Sequence, residues 1–220
     1  MIREARRSAA SPTSTEGSAM TLTEDATTPS TARTADTAVP IVRELDARWS
    51  PRSFDTDATV SDQQLDALLE AARWAPSASN QQPRRFIAAR RGTHAFDTIV
   101  DSLVGFNAAW AVNASALVVA IAETSTVEGE KRPYAAYDLG QAVAHLSVQA
   151  QAEGLHTHQM AGVEFDKLSA AFDLPENLQP LTVTAVGTVA PADALEGPLA
   201  ERETAPRSRL PLSELVLVRE

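Results

Sequence analysis

Residues 134–153 form an Ala-rich stretch in which small or apolar side chains would occupy nearly every side of a helix, and Gly154 ends it. Such a helix has to be buried on most of its surface, so the fold must be built around it. The rest of the chain supplies its partners. Residues 116–122 (ALVVAIA) read as a buried strand, and residues 181–189, rich in Val, Thr and Leu, as another. Residues 85–89 and 155–160 are shorter strand candidates. Ile41, Val42 and Leu45 share one face of a short helix that breaks at Ser50-Pro51. Ser61 followed by Gln64 predicts a capping box, and Leu65, Leu68, Leu69 and Ala72 continue at helical spacing. That helix stops before Pro76, because the residue preceding a proline disfavours the helical region. Residues 94–103 and 164–172 are further helix candidates, and everything after Ala190, rich in Pro and charge, reads as an extended surface arm. Helices alternating with short strands predict an α/β or α+β domain around one sheet.

A chain of 220 residues can bury one sizeable core, and two full domains would be cramped. Residues 1–38 are dominated by Ser, Thr and Ala and are expected to be a disordered tail, leaving 39–220 as a single domain. Arg3, Arg6 and Arg7 are not followed by an apolar segment, and Glu4, Glu16, Glu24 and Asp25 speak against a transit peptide. A cytoplasmic location is therefore expected. The net charge of −10 argues against nucleic acid and anionic membrane as partners. No apolar run approaches the roughly 18–20 residues that span a bilayer. The absence of cysteine excludes disulfides, thiolate metal sites, iron–sulfur clusters and thiol nucleophiles. The scattered glycines form neither a dinucleotide-binding fingerprint nor a P-loop. His156 and His158 would share a strand face, but without a carboxylate at ligand spacing they read as structural or pocket-lining.

Three polar clusters remain. The first is Arg48-Trp49-Ser50-Pro51-Arg52-Ser53-Phe54, the second is the run from Ala75 to Pro83 (APSASNQQP), and the third is Pro206-Arg207-Ser208-Arg209-Leu210-Pro211. The first and third offer guanidinium forks beside a hydroxyl, which can clasp a phosphate without a glycine-rich loop. Taken singly, each also reads as an exposed basic turn.

In this order, and with Phe106-Asn107 ahead of a buried strand and Met160-Ala161-Gly162 after the long helix, the clusters resemble the FMN-dependent nitroreductase family over about residues 40–217. The resemblance implies an α+β fold with a central mixed sheet flanked by helices, assembled as an interlocked homodimer with FMN at the subunit interface. It implies that Arg48, Arg207 and Arg209 hold the FMN phosphate, with Trp49 in the same cofactor-binding motif. Ser50 would bond along the ribityl chain or phosphate. Arg52 would sit by the N1–C2=O edge of the ring, and Asn107 would reach its pyrimidine edge. Met160, Ala161 and Gly162 would lie near N5 and O4, while Pro76, Ser77, Ala78 and Asn80 would come from the partner subunit. The long helix would form much of the dimer core. Two departures stand out: Trp110 and Ala161 replace a lysine and an acidic residue that some members carry near the flavin, so the ring edge would be less charged.

The implied activity is transfer of electrons from NADH or NADPH to a small-molecule acceptor such as a nitroaromatic or quinone. The cofactor would carry the chemistry, so no catalytic side chain and no metal are expected. Two alternatives are a flavin-dependent dehydrogenase or desaturase of a biosynthetic intermediate on the same fold, and a flavin-binding module without turnover.

Overall fold

The computed structural model describes residues 33–220. Its elements run in the order α1 (Arg43–Ala47), α2 (Asp62–Arg73), β1 (Arg84–Arg90), α3 (His94–Val100), α4 (Phe106–Ala111), β2 (Ala116–Glu123) and α5 (Ala135–Ala152). They continue with β3 (His156–Met160), α6 (Phe165–Ala171), β4 (Leu178–Gly187), α7 (Pro198–Thr204) and α8 (Leu212–Leu215). Residues 1–32 of the expected tail lie outside the described residues. Ordered contacts begin before residue 39: Ala35 donates to the Asp46 carboxylate at 2.8 Å, and Arg33 donates to the carbonyl of Glu203.

The α+β expectation holds, and one property of the sheet differs. The four strands lie in the order β1-β2-β4-β3, and every pairing among them is antiparallel, so the expected mixed sheet is not what these strands form. All eight positions of β2 are buried. Leu117, Val119 and Ile121 face one apolar layer with Phe96 and Ile99 of α3 and Leu168 of α6. Ala116 and Val118 face another, with Leu65, Leu68 and Ala72 of α2 and Ala142, Leu146 and Ala150 of α5. A strand covered on both faces has no solvent side to alternate with, hence the uninterrupted apolar run. β4 begins at Leu178, earlier than the sequence suggests, because Pro180 is accommodated where the register with β2 shifts between Ala120 and Ile121.

Local signals account for the α2 boundaries. The Ser61 hydroxyl accepts from the Gln64 N–H at 3.1 Å, and the Gln64 side chain accepts from the Ser61 N–H at 3.1 Å. The long helix α5 is covered less completely than its composition predicts. Ala135, Asp138, Leu139, Ala142, Val143, Leu146, Ser147 and Ala150 are buried, but Ala136, Gly140, Ala144 and His145 are exposed and Tyr137 is 70% exposed. The region after Ala190 is also more structured than the expected extended arm, since Gly197, at φ 54°, and Pro198 start α7. No helix among the described residues is long and apolar enough to cross a membrane.

Candidate functional site

Two segments far apart in sequence meet at the C-terminal end of α1. From Arg48 the chain turns extended and buries Trp49, and the arm after α7 returns Arg207 and Arg209 to the same place. Arg207 Nη1 donates to the carbonyl of Asp46 at 2.6 Å and to that of Arg33. The Arg33 guanidinium lies 4.5 Å above the Trp49 ring. Burial lowers the pKa of Arg207, and the nearby Arg48, Arg209 and Arg33 lower it further against the opposing Asp46. Burial also lowers that of Arg48, with Arg209 adding to it. Several partly desolvated guanidiniums so close together repel one another, and an anion relieves that repulsion. A cavity of about 190 Å³ opens beside them, lined by Ala35, Asp36, Arg207, Ser208 and Arg209. Planar guanidinium forks around a small cavity suit a phosphate group.

Arg52 is half-buried, and its backbone N–H is held by the Glu203 carboxylate. Burial lowers its pKa, Glu203 opposes that, and Arg202 adds to it. Behind it, His158 places Nδ1 2.8 Å from the Pro51 carbonyl, so Nδ1 carries the proton. Burial pushes His158 and His156 down to about 4, with Arg52 and Arg48 respectively contributing, so both rings are neutral at pH 7. They share β3, and among the described residues no group of three His, Asp or Glu side chains is placed to hold a metal ion.

Asn107 and Gly162 lie against each other. Asn107 Nδ2 donates to the Gly162 carbonyl at 3.3 Å, and the Val104 N–H donates to the same oxygen at 3.1 Å. A Cβ on Gly162 would lie 2.7 Å from Asn107 Nδ2, so any larger residue there would push the Asn107 amide out of its present position. Ala161 is exposed, with its carbonyl accepting from the Val163 N–H at 3.0 Å, whereas the Met160 side chain is buried in the core and can offer a ligand only main-chain atoms. Trp110 requires a correction. It is 1% exposed, its ring tilted against His158 at 4.6 Å and stacked on Phe54 at 6.1 Å, so it belongs to the core and does not line a ring edge. One helical turn from Asn107 carries a side chain to the same face only roughly, and α4 turns Trp110 inward.

The loop with Pro76, Ser77, Ala78 and Asn80 is built differently. Ser79, Asn80 and Gln82 hold φ near +50°, a region costly for residues with a Cβ. Besides backbone bonds within the loop, the Ala78 N–H donates to the buried Asp138 carboxylate of α5 at 3.1 Å, and the Gln82 N–H donates to Ser77 Oγ at 3.0 Å. Among the described residues, no hydrogen bond or ion pair joins this loop to the arginine cluster. Glu203 is the site residue that sequence reasoning missed. It sits in a charged stretch, and only its spacing of four residues before Arg207 hints at a role.

Fold and site define an α+β protein in which Arg48 and the distant Arg207 and Arg209 come together beside a small cavity. A protein-family model described as the nitroreductase family matches residues 45–108. A solved structure of an oxidoreductase containing FMN is 34% identical, with a TM-score of 0.78, and the match covers 82% of this chain and 92% of that one. A protein of Desulfovibrio desulfuricans solved in complex with FMN has the same fold at 24% identity and a TM-score of 0.66, covering 84% of this chain and 99% of that one. An uncharacterized 15.4 kDa protein of Mycolicibacterium smegmatis is 36% identical over 138 residues, 60% of this chain and 92% of that protein. The chain belongs to the nitroreductase family.

Proposed function

We propose that this protein is a cytoplasmic FMN-dependent oxidoreductase that takes electrons from NADH or NADPH and passes them to a nitroaromatic or quinone-type acceptor. The observation that carries the reading is the convergence of Arg48, Arg207 and Arg209, cations from opposite ends of the folded chain that repel one another without an anion. They would hold the FMN phosphate, with Trp49 packed behind them and Ser50 bonding along the ribityl chain. Arg52 would favour negative charge at the N1–C2=O edge, Asn107 would bond the pyrimidine edge, and the backbone of Met160, Ala161 and Gly162 would face N5 and O4. Once bound, FMN supplies the redox chemistry, and the protein supplies binding, orientation and electrostatics.

The working unit in this reading is a homodimer. On α5, Ala136, Gly140 and Ala144 form an exposed stripe one turn apart, beside an apolar concavity of about 340 Å³ that Leu139, Val143 and Leu181 help to line. A Cβ on Gly140 would meet nothing within 4 Å, so packing inside the chain does not demand glycine there. Exposed Ile41, Val42 and Leu45 of the α1 region and Leu212, Leu215 and Leu217 of the arm extend the uncovered apolar surface. A second copy would cover these faces, and Pro76, Ser77, Ala78 and Asn80 would then serve the partner's cofactor.

The test is the visible spectrum of the purified protein reconstituted with FMN, followed anaerobically on adding NADH or NADPH. A flavin spectrum that bleaches and recovers on adding a quinone supports the assignment. A protein that stays colourless with excess FMN refutes it.

A further inference from the structure

Glu203 is 2% exposed, and its carboxylate is spent on backbone. The Arg52 N–H donates to Oε1 at 3.0 Å and to Oε2 at 2.9 Å, and the Ser53 N–H donates to Oε1 at 3.0 Å. Just beyond, the chain pairs with the segment that follows β4 in the ordinary way: Ala190 N–H donates to the Ser53 carbonyl at 3.0 Å, Asp55 N–H to the Thr188 carbonyl at 2.9 Å, and Phe54 bridges Val189. The strand-like pairing stops at Ser53, and the Glu203 side chain takes over the next two amides. The backbone carbonyl of Glu203 accepts from Arg33, whose guanidinium covers Trp49. Glu203 is therefore the point at which α7 is fastened to the Arg48–Phe54 segment, four residues before Arg207.

A buried carboxylate is a costly fastener unless its charge is used. Here it lies beside Arg52, with Arg202 next along α7 and the Arg202 guanidinium 5.9 Å over the exposed Phe106 ring. A neutral side chain could accept two amides; only a charged one also offsets the Arg52 cation.

We propose that Glu203 is a positioning residue of the cofactor site: it fixes Arg52 and the arm bearing Arg207 and Arg209 as one unit, and its charge sets how strongly Arg52 attracts negative charge on the bound ring. The inference rests on the FMN reading, and its two halves separate by substitution. Glu203→Ala removes the fastener, so Arg207 and Arg209 are no longer delivered to Arg48. Glu203→Gln keeps one oxygen that can accept from both amides, as Oε1 does now, and removes the charge together with the second Arg52 bond, to Oε2.

The experiment measures FMN and riboflavin dissociation constants by flavin fluorescence, the midpoint potential of the FMN-loaded protein, and amide hydrogen exchange of the flavin-free protein. For Glu203→Ala, FMN binding should weaken at least tenfold while riboflavin, which lacks the phosphate, changes less than threefold. For Glu203→Gln, FMN affinity should stay within about threefold of wild type and the midpoint potential should rise. The Arg52 and Ser53 amides should exchange slowly in wild type and fast in Glu203→Ala, a readout that needs no cofactor. Unchanged FMN affinity in Glu203→Ala, or an unmoved potential in Glu203→Gln, overturns the proposal even though the wild type binds FMN. A wild type that binds no FMN overturns the functional reading instead, and the amide exchange then still decides whether Glu203 is the fastener.

Discussion

Arg209→Ala isolates the anion-binding role from the fold. The Arg209 side chain is exposed, and among the described residues its guanidinium donates only to the carbonyl of its neighbour Ser208, at 2.7 Å. Nothing in the core leans on it. Its charge lowers the pKa of both Arg48 and Arg207, so in the flavin-free protein it is a source of repulsion. Substitution should leave flavin-free stability within about 0.5 kcal/mol of wild type. A hydrogen bond to a charged group contributes roughly 1.5–3 kcal/mol, and each ~1.4 kcal/mol is tenfold in affinity. FMN should therefore bind roughly 10- to 100-fold more weakly, with riboflavin affinity nearly unchanged. Fluorescence titrations of both flavins at fixed ionic strength, alongside thermal denaturation of the flavin-free proteins, provide the comparison. Arg207→Ala is the contrasting control, since losing the bonds to Arg33 and Asp46 should lower the melting temperature as well. Equal FMN affinity in Arg209→Ala and wild type would refute the phosphate assignment.

Gly162→Ala would bring a Cβ to 2.7 Å from Asn107 Nδ2, and the Asn107 amide, the free end of a side chain, can swing away. Stability should fall by about 1 kcal/mol or less, but FMN affinity should drop several-fold; an unaltered titration would remove Asn107 and Gly162 from the site. His156 and His158 have folded-state pKa values pushed down to about 4 from 6.5, so the stability they confer is complete above pH 6.5 and is lost as pH falls toward 4. With each pKa unit near 1.4 kcal/mol, the loss is on the order of 3 kcal/mol per ring. Urea denaturation from pH 7 to 4.5 should therefore show a steeper decline for wild type than for a His156→Gln/His158→Gln variant, and parallel profiles would contradict the assignment. A Cβ at exposed Gly140 meets nothing within 4 Å in the chain, so a Gly140→Glu monomer should fold, while a charge on the exposed α5 stripe should abolish the dimer. Sedimentation of a dimer by that variant would place the interface elsewhere.

The parts of this fold that were legible in the sequence are those written into local pattern. The Ser61–Gln64 cap, the apolar run of β2 and the helical spacing of α2 each depend on neighbours a few residues away. Arg48, Arg207 and Arg209 were grouped by the family resemblance, and the fold brings these three cations near one another. What escaped depends on distant contacts. Glu203 looks like any solvated glutamate, and its burial is decided by the amides of Arg52 and Ser53, 150 residues away. Trp110 shares roughly helical spacing with Asn107, but its orientation is set by packing on Phe54 and His158. β4 extends three residues ahead of the expected residue 181, through Pro180, where the register with β2 shifts. The composition of α5 predicted burial on most sides, and the chain alone covers about half; the remainder is the face assigned to a second copy.

The central claim, that arginines from the two ends of the folded chain recognise a flavin by its phosphate, is tested most directly by titrating the wild-type protein with FMN and with riboflavin under identical conditions. The two ligands differ only in the phosphate. The account predicts that FMN binds at least tenfold more tightly and that the difference shrinks as ionic strength rises. Equal affinities for the two flavins would contradict it.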